Sequence, residues 1–193
     1  MRGASGDRCS YRYRTDINAL LKRLGITAVY VTHDQEEAMA MGDRIAILDH
    51  GDIVQIGTAE EIYLSPNNEF VANFIGQMNH FDGLLQGQAL SFGKQFLPLS
   101  PTLYQSCSEG KRLRCMARPE DVRLMAFDEA TVKGAVSHSV FLGDRTRVLV
   151  DVEGLQEPVH ADCFERKRYT IGDRVGLMIP PSRLVLLPTS GTE

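Results

Sequence analysis

With 193 residues, 43% of them hydrophobic and 24% charged, the chain has the apolar content of one or two folded domains. Its formal net charge of −4 gives no reason to expect a nucleic-acid partner, which needs a clustered basic surface. No apolar stretch approaches the ~20 residues that cross a bilayer, so any membrane connection must come through a partner protein. Two short basic groups, Lys111, Arg112 and Arg114, and Arg166, Lys167 and Arg168, read as solvated loop or strand faces. The cysteines, Cys9, Cys107, Cys115 and Cys163, are scattered without a CxxC pair or a nearby histidine. That pattern points away from a zinc site and a disulfide framework, and suits a reducing cytoplasmic location.

Residues 1–12 open the chain as a small, polar and basic leader without periodicity, the composition of a disordered segment. At Thr15 the pattern changes. Ile17, Leu20, Leu21 and Leu24 recur at i, i+3, i+4 and i+7, giving a helix one apolar face, with Thr15 as N-cap and Gly25 as stop. Thr27 to Val31 is uncharged and rich in β-branched and aromatic residues, which predicts a buried strand. Asp34-Gln35-Glu36-Glu37 has the spacing of a capping box and opens a helix that Gly42 stops. Ile45 to Leu48 and Ile53 to Ile56 flank Asp49-His50-Gly51-Asp52 and predict a β-hairpin. Thr58-Ala59-Glu60-Glu61 repeats the capping-box spacing before a short helix ended by Ser65-Pro66. A last helix, about Asn68 to Ile75, should carry Phe70, Val71, Phe74 and Ile75 toward a core. Residues 13–76 form one domain on this reading.

Residues 77–193 have a different texture, with short β-prone runs, frequent glycine and almost no helical period. Phe81 to Leu85, Ala89 to Phe92, Gln95 to Leu99, Leu113 to Ala117, Ala135 to Leu142, Thr146 to Val152, Arg174 to Ile179 and Leu184 to Leu187 are the expected strands. The clearest is Thr146 to Val152, where Val148, Val150 and Val152 share a face. Gly143-Asp144 and Gly172-Asp173 supply turns, and the whole suggests a small OB-like barrel. In Arg118-Pro119-Glu120 the proline ends a strand and the charges pair locally, a structural role rather than a ligand site.

His33 falls on the turn between a strand's carboxyl end and a helix's amino end, where open α/β sheets bind ligands. On spacing alone, a histidine beside an N-cap is more often a solvated or hydrogen-bonded turn residue than a catalytic one. The surrounding motifs say more. Val31-Thr32-His33-Asp34-Gln35-Glu36-Glu37-Ala38-Met39, Asp43 to Leu48 and Gly51 to Thr58 resemble the switch-histidine loop and following hairpin of ATP-binding cassette (ABC) ATPases. The likeness is closest to the ATP-binding subunits of bacterial importers for sugars, polyamines, ferric iron and phosphonates. Ala117 to Leu124, Phe141-Leu142-Gly143-Asp144 and Gly172 to Leu177 resemble the TOBE domain attached to those subunits.

The resemblance implies an α/β fragment, the end of a P-loop NTPase-type domain, followed by an all-β OB-like TOBE domain. It also implies ATP and magnesium as cofactors of the intact family member, with transmembrane subunits and a second ATPase subunit as partners. A homodimer through the TOBE domain and a cytoplasmic place at the inner membrane follow from the same likeness. His33 becomes the catalytic switch histidine, which contacts the γ-phosphate and helps position the attacking water. No residue here is assigned to cofactor or metal binding.

Phosphoryl transfer in this class needs a Gly-rich loop and lysine around the phosphates, and a hydroxyl and carboxylate on magnesium. The pattern GxxxxGK[ST] does not occur: Gly93-Lys94 is followed by Gln95, and Gly110-Lys111 by Arg112. No apolar strand ends in an Asp-Glu pair, and Leu85-Gln86-Gly87-Gln88 only echoes the family's signature loop. The expectation is a C-terminal piece of the subunit, from a truncated or frameshifted frame or a deliberately cut chain, that neither binds ATP tightly nor hydrolyses it. The other reading is a freestanding OB-like module that dimerises or binds a small ligand or protein. An α/β segment without its sheet should expose Val29, Val31, Ile45 and Ile47.

Overall fold

The computed structural model describes residues 17 and 19–186. Thr15, Cys9, Leu187 and the leader expected over 1–12 lie outside the described residues. The chain divides into two compact units between Ile75 and Gly76.

In the first unit, helix α1 is formed over 19–24. It ends where glycine was expected to end it. Gly25 adopts φ +65°, its N–H donates to Lys22 O and the Ile26 N–H donates to Leu21 O, the paired bonds of a Schellman cap. Among the described residues the apolar face of this helix joins neither core, and Leu20 and Leu24 are exposed. Thr27 to Val31 departs from expectation: it is not a strand, and Val29 and Val31 are 90% and 91% exposed. Strand-forming side chains make a strand only when a neighbouring strand takes their N–H and C=O groups, and among the described residues no strand pairs with this stretch.

Helix α2 (Gln35–Met41) starts on Asp34, whose carboxylate accepts from the Glu37 N–H. The reciprocal arm of the cap runs through Thr32, whose hydroxyl donates to Glu37 and accepts from the Asp34 N–H. Strands β1 (Ile45–Asp49) and β2 (Asp52–Gly57) form the hairpin, turning through His50 and Gly51 at φ +49° and +95°. Both turn residues are left-handed, the geometry that matches strand twist. Helix α3 (Ala59–Leu64) carries the full capping box between Thr58 and Glu61, and α4 (Glu69–Phe74) is capped by Asn68. Ile45, Ile47, Ile62, Val71 and Ile75 make a small core. Ile45 and Ile47 are thus buried rather than exposed, because α3 and α4 cover that face of the hairpin. Phe70 and Phe74 stack on each other at 5.6 Å and remain partly exposed.

The second unit is β-rich, as its sequence texture suggests. One five-stranded sheet has the order β12-β6-β3-β4-β5 and the other β10-β9-β8-β11-β7. Their ranges are β3 (Asn79–Gln86), β4 (Ala89–Phe92), β5 (Gln95–Pro98), β6 (Arg112–Ala117), β7 (Arg123–Met125), β8 (Val132–Phe141), β9 (Thr146–Val152), β10 (Val159–Cys163), β11 (Arg174–Met178) and β12 (Val185–Leu186). Every pairing is antiparallel. Strands β7 and β10 and the short helix α5 (Pro101–Gln105) are additions to the sequence reading. Phe81, Leu90, Leu97, Val136, Val148, Val150 and Leu177 form part of one continuous core drawn from both sheets. Gly134 permits the β8–β9 contact, since a Cβ there would sit 2.4 Å from the Asp151 carbonyl oxygen.

Candidate functional site

His33 is exposed, on the bend between the irregular stretch 26–32 and the capped start of α2. The loop is pinned on both sides. Thr32 and Asp34 bond around it, and Gln35 Nε2 donates to the Phe74 carbonyl, tying α2 to the end of α4. An exposed imidazole on such a loop can donate to a phosphate oxygen or accept from a water.

The glycine–lysine pairs lie in turns of the second unit. Gly93 forms the β4–β5 turn at φ +56°, and Gly110 precedes β6 at φ +74°. Gly87 makes the β3–β4 turn, its N–H donating to both oxygens of Glu109 at 3.0 and 3.1 Å. Gly87 and Gly93 are hairpin turns, and Gly110 belongs to the connection from α5 to β6. Among the described residues no group of three His, Cys, Asp or Glu side chains could hold a metal ion.

Cys107, Cys115 and Cys163 are free thiols. Burial pushes Cys115 up to about 12, so it stays protonated and inert at neutral pH.

Arg118 is buried at the end of β6, and Pro119–Asp121 forms a 3-10 turn directly after it. Its Nη1 reaches the Gln77 carbonyl at 3.5 Å. The arginine therefore fastens the entry of β3, a structural part.

A polar cluster that sequence reasoning missed lies beside it. Arg147 grips Asp162 with two bonds, Nε to Oδ1 at 2.7 Å and Nη2 to Oδ2 at 2.8 Å. Arg145 Nε adds an ion pair to Asp162 Oδ2 at 2.9 Å, close in distance but without hydrogen-bond alignment. Burial works to raise the Asp162 pKa, yet the two guanidiniums outweigh it and hold the carboxyl below its ordinary value. Arg147 Nη1 also reaches Gln77 Oε1 at 2.8 Å, and Gln77 Nε2 reaches the His160 ring. Asn79 clamps the His160 backbone, donating to its carbonyl at 2.8 Å and accepting from its N–H at 2.7 Å. The one signal in the sequence was the alternation Arg145, Arg147 and His160, Asp162, which puts each pair on one strand face.

The TOBE domain family matches residues 115–187. The spermidine/putrescine import ATP-binding protein PotA of Clostridium acetobutylicum is 34% identical over 173 residues, 89% of this chain and 47% of that protein. PotA of Desulfitobacterium hafniense is 35% identical over 174 residues, covering 89% and 48%. The xylose/arabinose import ATP-binding protein XacK of Haloferax volcanii is 48% identical over 188 residues, covering 90% and 47%. The chain is related to the ATP-binding subunits of ABC importers and carries a TOBE domain. It spans about half the length of these curated relatives. Among solved structures, the molybdate-binding protein ModG aligns with 57% of this chain and 96% of its own at 16% identity, with a TM-score of 0.46. Among the described residues no helix is long and apolar enough to cross a membrane.

Proposed function

We propose that these 193 residues do the work of the switch-histidine segment and TOBE domain in an importer's ATP-binding subunit. The phosphate-cradling loop and magnesium carboxylates are supplied from outside them. The observation that carries this reading is the likeness to PotA and XacK over about nine-tenths of the chain. In the assembled subunit ATP and magnesium occupy a site to which this chain contributes His33, at the amino end of α2. The imidazole orients the attacking water at the γ-phosphate, while charge stabilisation comes from groups that this sequence does not contain. The partners are a second ATP-binding subunit and membrane-spanning subunits, which places the chain on the cytoplasmic face. Sugar or polyamine uptake fits the named relatives, and the membrane and binding subunits choose between them.

The test is reconstitution. The purified chain alone should show no ATP turnover. Mixed with the amino-terminal half of a PotA relative, which carries the phosphate loop and carboxylates, it should gain turnover that His33→Ala lowers about 10²-fold or more in kcat. Turnover by the chain alone, or no loss on His33→Ala in the mixture, would contradict the proposal.

A further inference from the structure

The turn that carries His33 is closed by hydrogen bonds whose direction follows from the groups themselves. The Asp34 N–H only donates, so Thr32 Oγ1 accepts from it, at 3.0 Å. The one hydrogen of that hydroxyl is left for Glu37 Oε2, a carboxylate oxygen that only accepts. Asp34 returns the connection to the helix, its Oδ1 accepting from the Glu37 N–H at 3.1 Å. Backbone has two soft torsions per residue, and the ring closed by the bond from Asp34 to Thr32 runs through both torsions of His33. Holding the Thr32 hydroxyl still therefore fixes the direction in which the imidazole leaves the backbone.

We propose that Glu37 is the positioning residue for His33: through the Thr32 hydroxyl it braces the turn against α2, so that the imidazole is aimed before nucleotide arrives. This rests on the switch role given to His33 above. Thr32 and Glu37 are half-buried and His33 is exposed, so the support is sheltered and the supported side chain is open to solvent. On the other side of the turn, among the described residues no strand pairs with 27–31, so in this chain the turn takes its orientation from α2. That helix is a firm reference. Gln35 Nε2 donates to the Phe74 carbonyl, and Ala38 and Met39 pack against the small core of the first unit. Glu36, the other acid in the first turn of α2, is exposed, and the brace does not run through it.

The experiment has two arms. In the full chain alone, amide exchange followed by NMR reads the brace without nucleotide. The Asp34 N–H should exchange about tenfold faster in Glu37→Ala than in the unmodified chain, and Glu37→Gln, whose amide oxygen still accepts from Thr32, should restore the slow rate. In the mixture with the amino-terminal half of a PotA relative, Glu37→Ala should lower kcat about tenfold with the KM for ATP unmoved. Thr32→Val lies outside α2 and should give the same loss, which separates the brace from the stability of the helix. Thr32→Ser, Glu37→Gln and Glu36→Ala should stay within about twofold of the unmodified chain. In a His33→Ala background Glu37→Ala should cost nothing more, because the brace acts only through the imidazole. Equal Asp34 exchange in Glu37→Ala and the unmodified chain would overturn the positioning role. So would an unchanged kcat in Glu37→Ala and Thr32→Val beside a His33→Ala loss, or a full Glu37→Ala loss in the His33→Ala background. A mixture that turns over equally well with His33→Ala, or not at all, would instead overturn the switch role, while the exchange arm still decides whether the brace exists.

Discussion

Val150 and Val31 are the same residue in two equally β-prone runs, Thr146 to Val152 and Thr27 to Val31, yet Val150 is fully buried and Val31 is 91% exposed. The difference lies in what stands beside them. Val150 pairs with Val136 on one side and Val159 on the other, within a sheet whose inner face meets a second sheet. Among the described residues no strand pairs with Val31. A β-prone sequence is thus a capacity for pairing, and the neighbours decide whether it becomes a strand. The second unit carries its neighbours with it. The first completes only the small core under α3 and α4 and leaves the approach to His33 unpaired.

The comparison can be broken most forcefully from the second unit. Phe81 is fully buried against Phe92, with ring centroids 6.1 Å apart. Phe81→Ala should cost about 3–5 kcal/mol in a denaturant titration of the β-rich unit. Asp162→Ala comes next. It leaves Arg147 and Arg145 without their carboxylate, and because both guanidiniums reach solvent the cost should be about 2 kcal/mol. The same pair sets an acid limit. The folded Asp162 pKa lies below its ordinary 3.8, so the stabilisation is present above that value and lost as pH falls through the lowered one. An acid titration of Asp162→Asn should lack this component.

In the first unit the expected effects are smaller. Thr58→Ala removes the hydroxyl arm of the α3 capping box, leaving the bond from its backbone N–H to Glu61, and should lower the stability of that unit by about 1 kcal/mol. Val31→Ala should lie within about 0.5 kcal/mol of the unmodified chain, because nothing packs on the side chain it shortens. Replacing Val29 and Val31 together by Asp should reduce binding of a hydrophobic dye with no loss of stability. A loss comparable to that of Phe81→Ala would mean that the stretch is buried after all.

Where alternation was regular, the sequence was enough. β4 and β9 fall on the residues expected, since Leu90 and Phe92, and Val148, Val150 and Val152, each recur with period two on one buried face. The glycine stop at Gly25 and the capping box at Thr58 were legible for the same local reason. β10 alternates as well, but Ala161 and Asp162 are poor strand formers, and β7 is only three residues long. The strand expected over Thr27 to Val31 failed because pairing is not a local property. The proposal for His33 rests on the motif around it, whereas the Gln77–His160 contact joins positions 83 residues apart, a closeness that only the fold creates.

Amide hydrogen exchange along the whole chain, read peptide by peptide near neutral pH, tests the central contrast most directly. Residues 26–32 should exchange close to the rate of an unstructured chain, while β3, β6, β8 and β9 should resist exchange up to the global unfolding limit. Adding the amino-terminal half of a PotA relative should then protect 26–32 and leave the β-rich unit unchanged. Strand-like protection of 26–32 in the chain alone would contradict the account.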